Sequence, residues 1–127
     1  MFNKVDYAML TISDMPKSVS FYRDILGLPL KFESPHWTEF QTGATTLALH
    51  GGGKPRAKID PQETGTAWAG TCTIGFQVPD IDKTYQELKA KGVNFVMTPT
   101  SRQEEGIKLA LCLDPDGLPI SLAETLN

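Results

Sequence analysis

The sequence has few cysteines, no long apolar run and no excess of positive charge. Cys72 and Cys112 are the only cysteines, which is too few for a disulfide scaffold, and their spacing is not that of a CxxC site. Both are predicted to be small buried hydrophobes. No stretch approaches the roughly 20 apolar residues that span a bilayer, and Met1–Tyr7 lacks the apolar core of a signal peptide. We therefore expect a cytoplasmic protein without membrane contacts.

The charge balance excludes further classes. Twelve Lys and Arg against fifteen Asp and Glu give a net charge of −3, spread along the chain, which argues against nucleic acid as a partner. A G-x-S-x-G nucleophile elbow is absent from the sequence, so covalent hydrolysis has no support. With 127 residues, the chain has the length of one domain.

The first half of the chain predicts a β-α-β-β-β unit. Tyr7–Ser13 is strand-like, and Asp14 can cap a helix that ends at Gly27. This helix carries apolar residues at a helical period, namely Met15, Val19, Tyr22 and Leu26. Three more strands are predicted at Leu30–Glu33, Trp37–Thr42 and Thr45–His50.

The second half repeats this order. Thr71–Val78 predicts a strand, and Asp80 caps a helix that ends before Gly92. Further strands are predicted at Val93–Thr98, Lys108–Leu113 and Leu118–Glu124. From Asp14 to Asp80 the offset is 80 − 14 = 66 residues, and from Gly27 to Gly92 it is 92 − 27 = 65. The chain is thus predicted to be one α+β domain, 1–127, with repeats 5–50 and 71–124 joined by a mobile Gly- and Pro-rich linker, 51–70.

Two motifs and the repeat resemble a known family. The motifs are Asp14-x3-Ser18-x2-Phe21-Tyr22-x3-Leu26-Gly27-Leu28 and Asp114-Pro115-Asp116-Gly117. Together they resemble the vicinal oxygen chelate superfamily, which includes glyoxalase I, bleomycin-resistance proteins and extradiol dioxygenases. The resemblance implies two βαβββ modules whose cupped, partly closed sheet surrounds a cavity, with the helices outside. It also implies a homodimer.

The same resemblance implies four strand positions that hold metal ligands in metal-dependent members. Here they are occupied by Tyr7, Ala48, Thr73 and Ser121. None is the His, Glu or Gln of the metal pattern, and alanine cannot coordinate a metal. The nearby carboxylates of Asp6 and Glu124 are an odd number of residues away, so they are predicted to face away from the cup. We therefore expect no metal and no other cofactor.

Strand alternation predicts which side chains line the cup in place of metal ligands. Met9 follows Tyr7 on the same face, and His50 follows Ala48. Trp37 or Phe40 on the third strand, and Trp68 in the linker, could add flat apolar walls. The candidate ligand-binding residues are Tyr7, Met9, Trp37, Phe40, Ala48, His50, Trp68, Thr73 and Ser121. Tyr7 and Met9 could equally be core residues, His50 a solvated loop-edge residue, and Trp68 a dimer contact.

Three functions are compatible with this pattern. The first is a metal-free protein that binds a small organic molecule, similar to bleomycin-resistance proteins that sequester a drug, with no catalytic residue. The second is an enzyme of the lyase, isomerase or dioxygenase type. It is either metal-independent, with His50 and Tyr7 as acid and base, or metal-dependent through ligands other than the four residues named above. The third is a structural or regulatory protein whose cup is filled by its own side chains.

Overall fold

The computed structural model of the protein describes residues 1–55 and 72–127. The chain divides into two compact units, one formed by residues 1–55 and the other containing residues 72–127. Each unit holds one four-stranded sheet and one main helix, which confirms the predicted α+β class. No helix in these two ranges is long and apolar enough to cross a membrane.

The first unit is a β-α-β-β-β module. Its strands are β1 (Tyr7–Thr11), β2 (Leu30–Glu33), β3 (Trp37–Thr42) and β4 (Thr45–His50), and its helix α1 begins with Met15–Val19. The strand order is β1-β4-β3-β2. β1 runs parallel to β4, and the other neighbours are antiparallel. The sequence predicted the bounds of β2, β3 and β4 correctly, and we call this the first sheet.

Helix α1 begins as predicted and then widens. The Asp14 carboxylate accepts a hydrogen bond from the Lys17 amide at 3.1 Å, which is the expected N-cap. From Ser20 to Ile25 the helix is a π-helical turn, in which the Leu26 amide donates to the Phe21 carbonyl five residues back, at 2.9 Å. Such widened turns are uncommon. Both Phe21 and Tyr22 of this turn lie in the core, whereas the apolar period seen in the sequence includes Tyr22 alone.

One face of the first sheet packs against this helix and forms the core of the unit. The Tyr22 ring lies 6.1 Å from the Phe40 ring, and neither side chain has exposed surface. Phe40 pairs with Leu47 across β3 and β4, so Leu47 lies on the same face. Leu49 is also fully buried on this helix face.

The second unit has the same topology. Its strands are β5 (Ile74–Gln77), β6 (Phe95–Arg102), β7 (Ile107–Leu113) and β8 (Pro119–Thr125), and its helix is α2 (Ile81–Ala90). The order β5-β8-β7-β6 repeats that of the first sheet, and we call it the second sheet. The Asp80 carboxylate accepts from the Lys83 amide at 3.1 Å, as predicted for the second helix cap.

Two strands of the second unit, β5 and β6, differ from the predicted bounds by more than one residue at an end. β6 extends past Pro99 to Arg102, because it is an edge strand whose register shifts between Met97 and Thr100, and edge positions tolerate proline. β5 is shorter than predicted and leaves Thr73 just outside the strand. Its partner β8 begins at Pro119, which has no N–H to donate.

The glycine run after β4 is held against the first unit. The Gly51 amide donates to the His36 carbonyl at 2.9 Å, and the Gly53 amide donates to the Ile12 carbonyl at 3.0 Å. A Cβ on Gly53 would lie 2.7 Å from Thr11 Cγ2. The start of the predicted linker is thus hydrogen-bonded to the first unit, and a side chain at Gly51 or Gly53 would clash with nearby backbone atoms. Trp68 and the rest of the linker from residue 56 onward lie outside the described residues.

Candidate functional site

The face of the first sheet opposite the helix carries most of the predicted site residues, and we call it the open face. The strand register aligns one row across it, from Met9 on β1 through Ala48 on β4 and Glu39 on β3 to Phe32 on β2. Residues paired in this way project to the same side of a sheet. Alternation adds Tyr7, Trp37 and His50 to this face.

Three rings lie together on the open face. The Trp37 ring centre is 6.0 Å from the Tyr7 ring and 6.2 Å from the His50 ring, with both pairs edge-to-face. Tyr7 is paired with Thr46, and Trp37 is paired with His50. A line from Trp37 on β3 to Tyr7 on β1 therefore crosses β4 at Ala48. The small side chain of Ala48 leaves room for these two rings to meet, and Ala48 itself has no exposed surface.

Glu39 holds the indole of Trp37 in place. Trp37 Nε1 donates to Glu39 Oε2 at 2.8 Å, a hydrogen bond to a charged acceptor and thus a strong one. The other oxygen, Glu39 Oε1, lies 3.6 Å from Lys31 Nζ. Glu39 is 27% exposed and Lys31 is 51% exposed. The face thus presents a fixed aromatic ring beside one carboxylate.

Most of the predicted residues of the first unit share this face, but one does not. Tyr7, Met9, Trp37, Ala48 and His50 lie on it, with Tyr7 and Met9 54% and 47% exposed. They are therefore not core residues of the kind that Phe40 is. Phe40 is fully buried against Tyr22 on the helix face, so its assignment to the ligand site is wrong. Residues 37 and 40 are three apart and face opposite ways on a strand.

The second sheet has a different open face. Ser121 lies between Gly75 on β5 and Leu111 on β7. Gly75 is exposed, and a Cβ placed there would lie 3.7 Å from Ser121, so a methyl group would fit at this position without a clash. Leu109 and Leu111 are half-buried on the same side. The open face of the second sheet thus carries Leu109 and Leu111 beside the hydroxyl of Ser121.

The two cysteines differ in their surroundings. Cys72 is exposed, contrary to the prediction, whereas Cys112 is buried on β7 as predicted. Burial raises the pKa of the Cys112 thiol to about 11. Neither residue lies in a metal-binding group, and we assign neither to the candidate site.

The residues at the four family metal positions do not fit a divalent ion. Ala48 has no donor atom, and Tyr7, Thr73 and Ser121 offer neutral hydroxyls, whereas such ions prefer imidazole, thiolate or carboxylate. Nor do residues 1–55 and 72–127 hold a group of three or more His, Cys, Asp or Glu side chains that could bind a metal. Glu124 does not substitute, because its carboxylate accepts from the Ile81 amide at 2.8 Å, at the start of α2.

The repeated β-α-β-β-β topology agrees with the family comparison. Residues 4–122 match the model of the Glyoxalase/Bleomycin resistance protein/Dioxygenase superfamily. The chain belongs to this superfamily. This confirms the resemblance seen in the sequence motifs.

Individual relatives share moderate sequence identity with this chain. YraH, an uncharacterized protein of Bacillus subtilis, is 34% identical over 113 residues, which cover 84% of this chain and 87% of YraH. The lactoylglutathione lyase of Haemophilus influenzae is 32% identical over 130 residues, covering 93% of this chain and 90% of that protein. The crystal structure of SMU.1112c has a TM-score of 0.82 and 26% identity, covering 98% of this chain and 100% of the other.

Proposed function

We propose that the protein binds a small organic molecule without a metal ion, and that it sequesters a drug or metabolite rather than converting it. The observation that carries this proposal is the set of residues at the family's four metal positions, Tyr7, Ala48, Thr73 and Ser121. The scaffold is that of the superfamily, but these side chains cannot form its metal centre. Because the fold serves both enzymes and binding proteins, the site decides between them.

The open face of the first sheet supports a binding role. Tyr7, Met9 and Trp37 offer apolar and aromatic surface, and Glu39 adds one oriented polar group. Ligand sites commonly combine such apolar walls with a few polar groups. The second unit carries two further candidate hydroxyls, those of Thr73 and Ser121. The protein acts in the cytoplasm as a homodimer, with no nucleic-acid or membrane partner.

An enzymatic function is the second candidate, favoured by the relative from H. influenzae that is a lactoylglutathione lyase. In this alternative, His50 and Tyr7 act as the acid and base. The Tyr7 ring lies 6.0 Å from the Trp37 ring, and the His50 ring lies 6.2 Å from it. Both are exposed on the open face, so a substrate seated on Trp37 could be reached by either.

An assay of lactoylglutathione lyase activity separates the two candidates. The binding proposal predicts no turnover, either for the purified protein or after addition of nickel, zinc, iron or manganese. Turnover abolished by a chelator would overturn the metal-free proposal. Turnover that survives the chelator and is lost in His50→Ala would establish the metal-independent enzyme. Thr46→Ala, on the same strand and face, is the matched control and is expected to behave like the parent.

A further inference from the structure

We propose that Glu39 and Trp37 form a recognition site for a planar organic cation on the open face of the first sheet. This inference rests on the proposed binding function and names the chemical class of its ligand. It is carried by the carboxylate of Glu39, the fixed indole beside it and the ammonium group of Lys31 that already lies there.

The carboxylate of Glu39 is the acidic group of the proposed site. Among the strand residues that the register places on this face, Glu39 is the only acidic one. Its neighbours in the row are Ala48 and Phe32, which are apolar. One oxygen of Glu39 is taken by the indole N–H, which fixes the group and leaves the second oxygen to accept from a ligand. A carboxylate placed among apolar groups favours a cation and disfavours an anion.

The indole ring of Trp37 is the aromatic surface of the proposed site. The Trp37 indole is held by its hydrogen bond to Glu39 and by edge-to-face packing with Tyr7 and His50. A ring held in this way loses little rotational freedom when a ligand stacks on it. Tryptophan is also the best aromatic partner for an organic cation. The ring and the carboxylate together match a flat aromatic molecule that carries a positive charge.

The side chain of Lys31 occupies the place expected for the positive charge of the ligand. Its ammonium nitrogen lies 3.6 Å from Glu39 Oε1, which shows that this oxygen can be approached by a cation. The Lys31 side chain is 51% exposed, and ion pairs at such positions are weak. A ligand cation can therefore displace Lys31 at little cost, and Lys31 acts as an internal competitor.

The test compares two acridines with the same ring system and opposite charge. The cation is 9-aminoacridine, the anion is acridine-9-carboxylate, and titration calorimetry gives both affinities. We expect the cation to bind at least tenfold more tightly. Glu39→Gln keeps the size of the side chain and is expected to weaken cation binding about tenfold, as for the loss of one charge-assisted contact. Lys31→Met removes the competitor and is expected to strengthen cation binding about twofold to threefold.

The control variant is Glu33→Gln. Glu33 pairs with Thr38 and lies on the helix face of the same sheet, so its loss changes the net charge by the same amount without touching the open face. Its expected effect on cation binding is less than twofold. Circular dichroism verifies that each variant folds, and Lys31→Met remains informative if Glu39→Gln does not fold.

Three results would overturn the inference. These are equal or tighter binding of the anion, no difference between Glu39→Gln and Glu33→Gln, and no binding of 9-aminoacridine to the parent protein. Failure of the proposed function is detected separately, by a stoichiometric metal ion or by turnover. A protein that prefers the anion and holds no metal would refute the cation site and leave the binding function standing.

Discussion

Substitution of Ala48 by glutamate tests how the open face of the first sheet is built. Position 48 is one of the family's metal positions, so this change restores a carboxylate there. In this protein, however, the Tyr7 and Trp37 rings meet across β4 with their centres 6.0 Å apart, and Ala48 has no exposed surface. The new side chain must push these rings apart. It also faces Glu39 directly across the strand pair.

The expected cost follows from these two effects. Overpacking of a filled site costs about 1–3 kcal/mol, and like charges directly opposite on neighbouring strands cost roughly 0.2–1 kcal/mol more. Ala48→Glu is therefore expected to lower the free energy of unfolding by about 1–4 kcal/mol. With an m-value of about 2 kcal/mol/M, the urea midpoint falls by roughly 0.6–2 M.

The matched control is Thr46→Glu, on the same strand and the same face. Thr46 is half-buried and pairs with Gln41 rather than with a carboxylate, so a cost under about 1 kcal/mol is expected. Adding Glu39→Gln to Ala48→Glu should restore the part of the free energy of unfolding that is lost through repulsion between the two carboxylates. Urea unfolding followed by circular dichroism measures all of these variants. An unchanged midpoint for Ala48→Glu would refute the account of a filled aromatic site above Ala48.

Two further predictions concern the backbone and the thiols. Gly53→Ala is expected to destabilise the protein by about 1–3 kcal/mol, because its Cβ would lie 2.7 Å from Thr11 Cγ2. Gly75→Ala is the control and is expected to cost little, since the nearest contact of its Cβ is at 3.7 Å. Equal urea midpoints for the two variants would contradict this prediction. Cys112 is buried and its pKa is raised to about 11, so little of this thiol is ionised at pH 8. Only one thiol per chain, that of the exposed Cys72, should therefore react quickly with a disulfide reagent in the native protein. Both should react in denaturant, and two fast thiols in the native state would contradict the burial of Cys112.

Local signals allowed much of the fold to be predicted from the sequence. Asp14 and Asp80 cap the helices as expected, because capping depends on residues three positions away. The bounds of β2, β3 and β4 also agree with the prediction. The repeated order of strands and helices then indicated two similar modules, and both sheets have the same topology.

The features that were missed depend on contacts between distant segments. Both faces of β3 carry an aromatic residue, so alternation alone could not decide whether Trp37 or Phe40 faces the helix. The register with β4 and the packing of Tyr22 settle the question. The same register places Glu39 opposite Ala48. Once Trp37 had been assigned to the open face, alternation would have placed Glu39 there as well.

The π-helical turn and the glycine run were missed for a similar reason. Phe21 and Tyr22 of this turn are both buried, and the helical period seen in the sequence included Tyr22 alone. The run of glycines has the composition of a flexible linker, but Gly51 and Gly53 pack against the backbone of the first unit. A glycine that permits close approach and a glycine that gives flexibility look the same in a sequence.

Elemental analysis tests most directly whether the protein lacks a metal centre. The protein is purified without a chelator or a metal-affinity resin, and its divalent metal content is measured before and after loading with nickel, zinc, iron or manganese. The residues at the four family positions predict far less than one ion per chain in every case. A content near one ion per chain would contradict the account and show that a metal site is built from other residues.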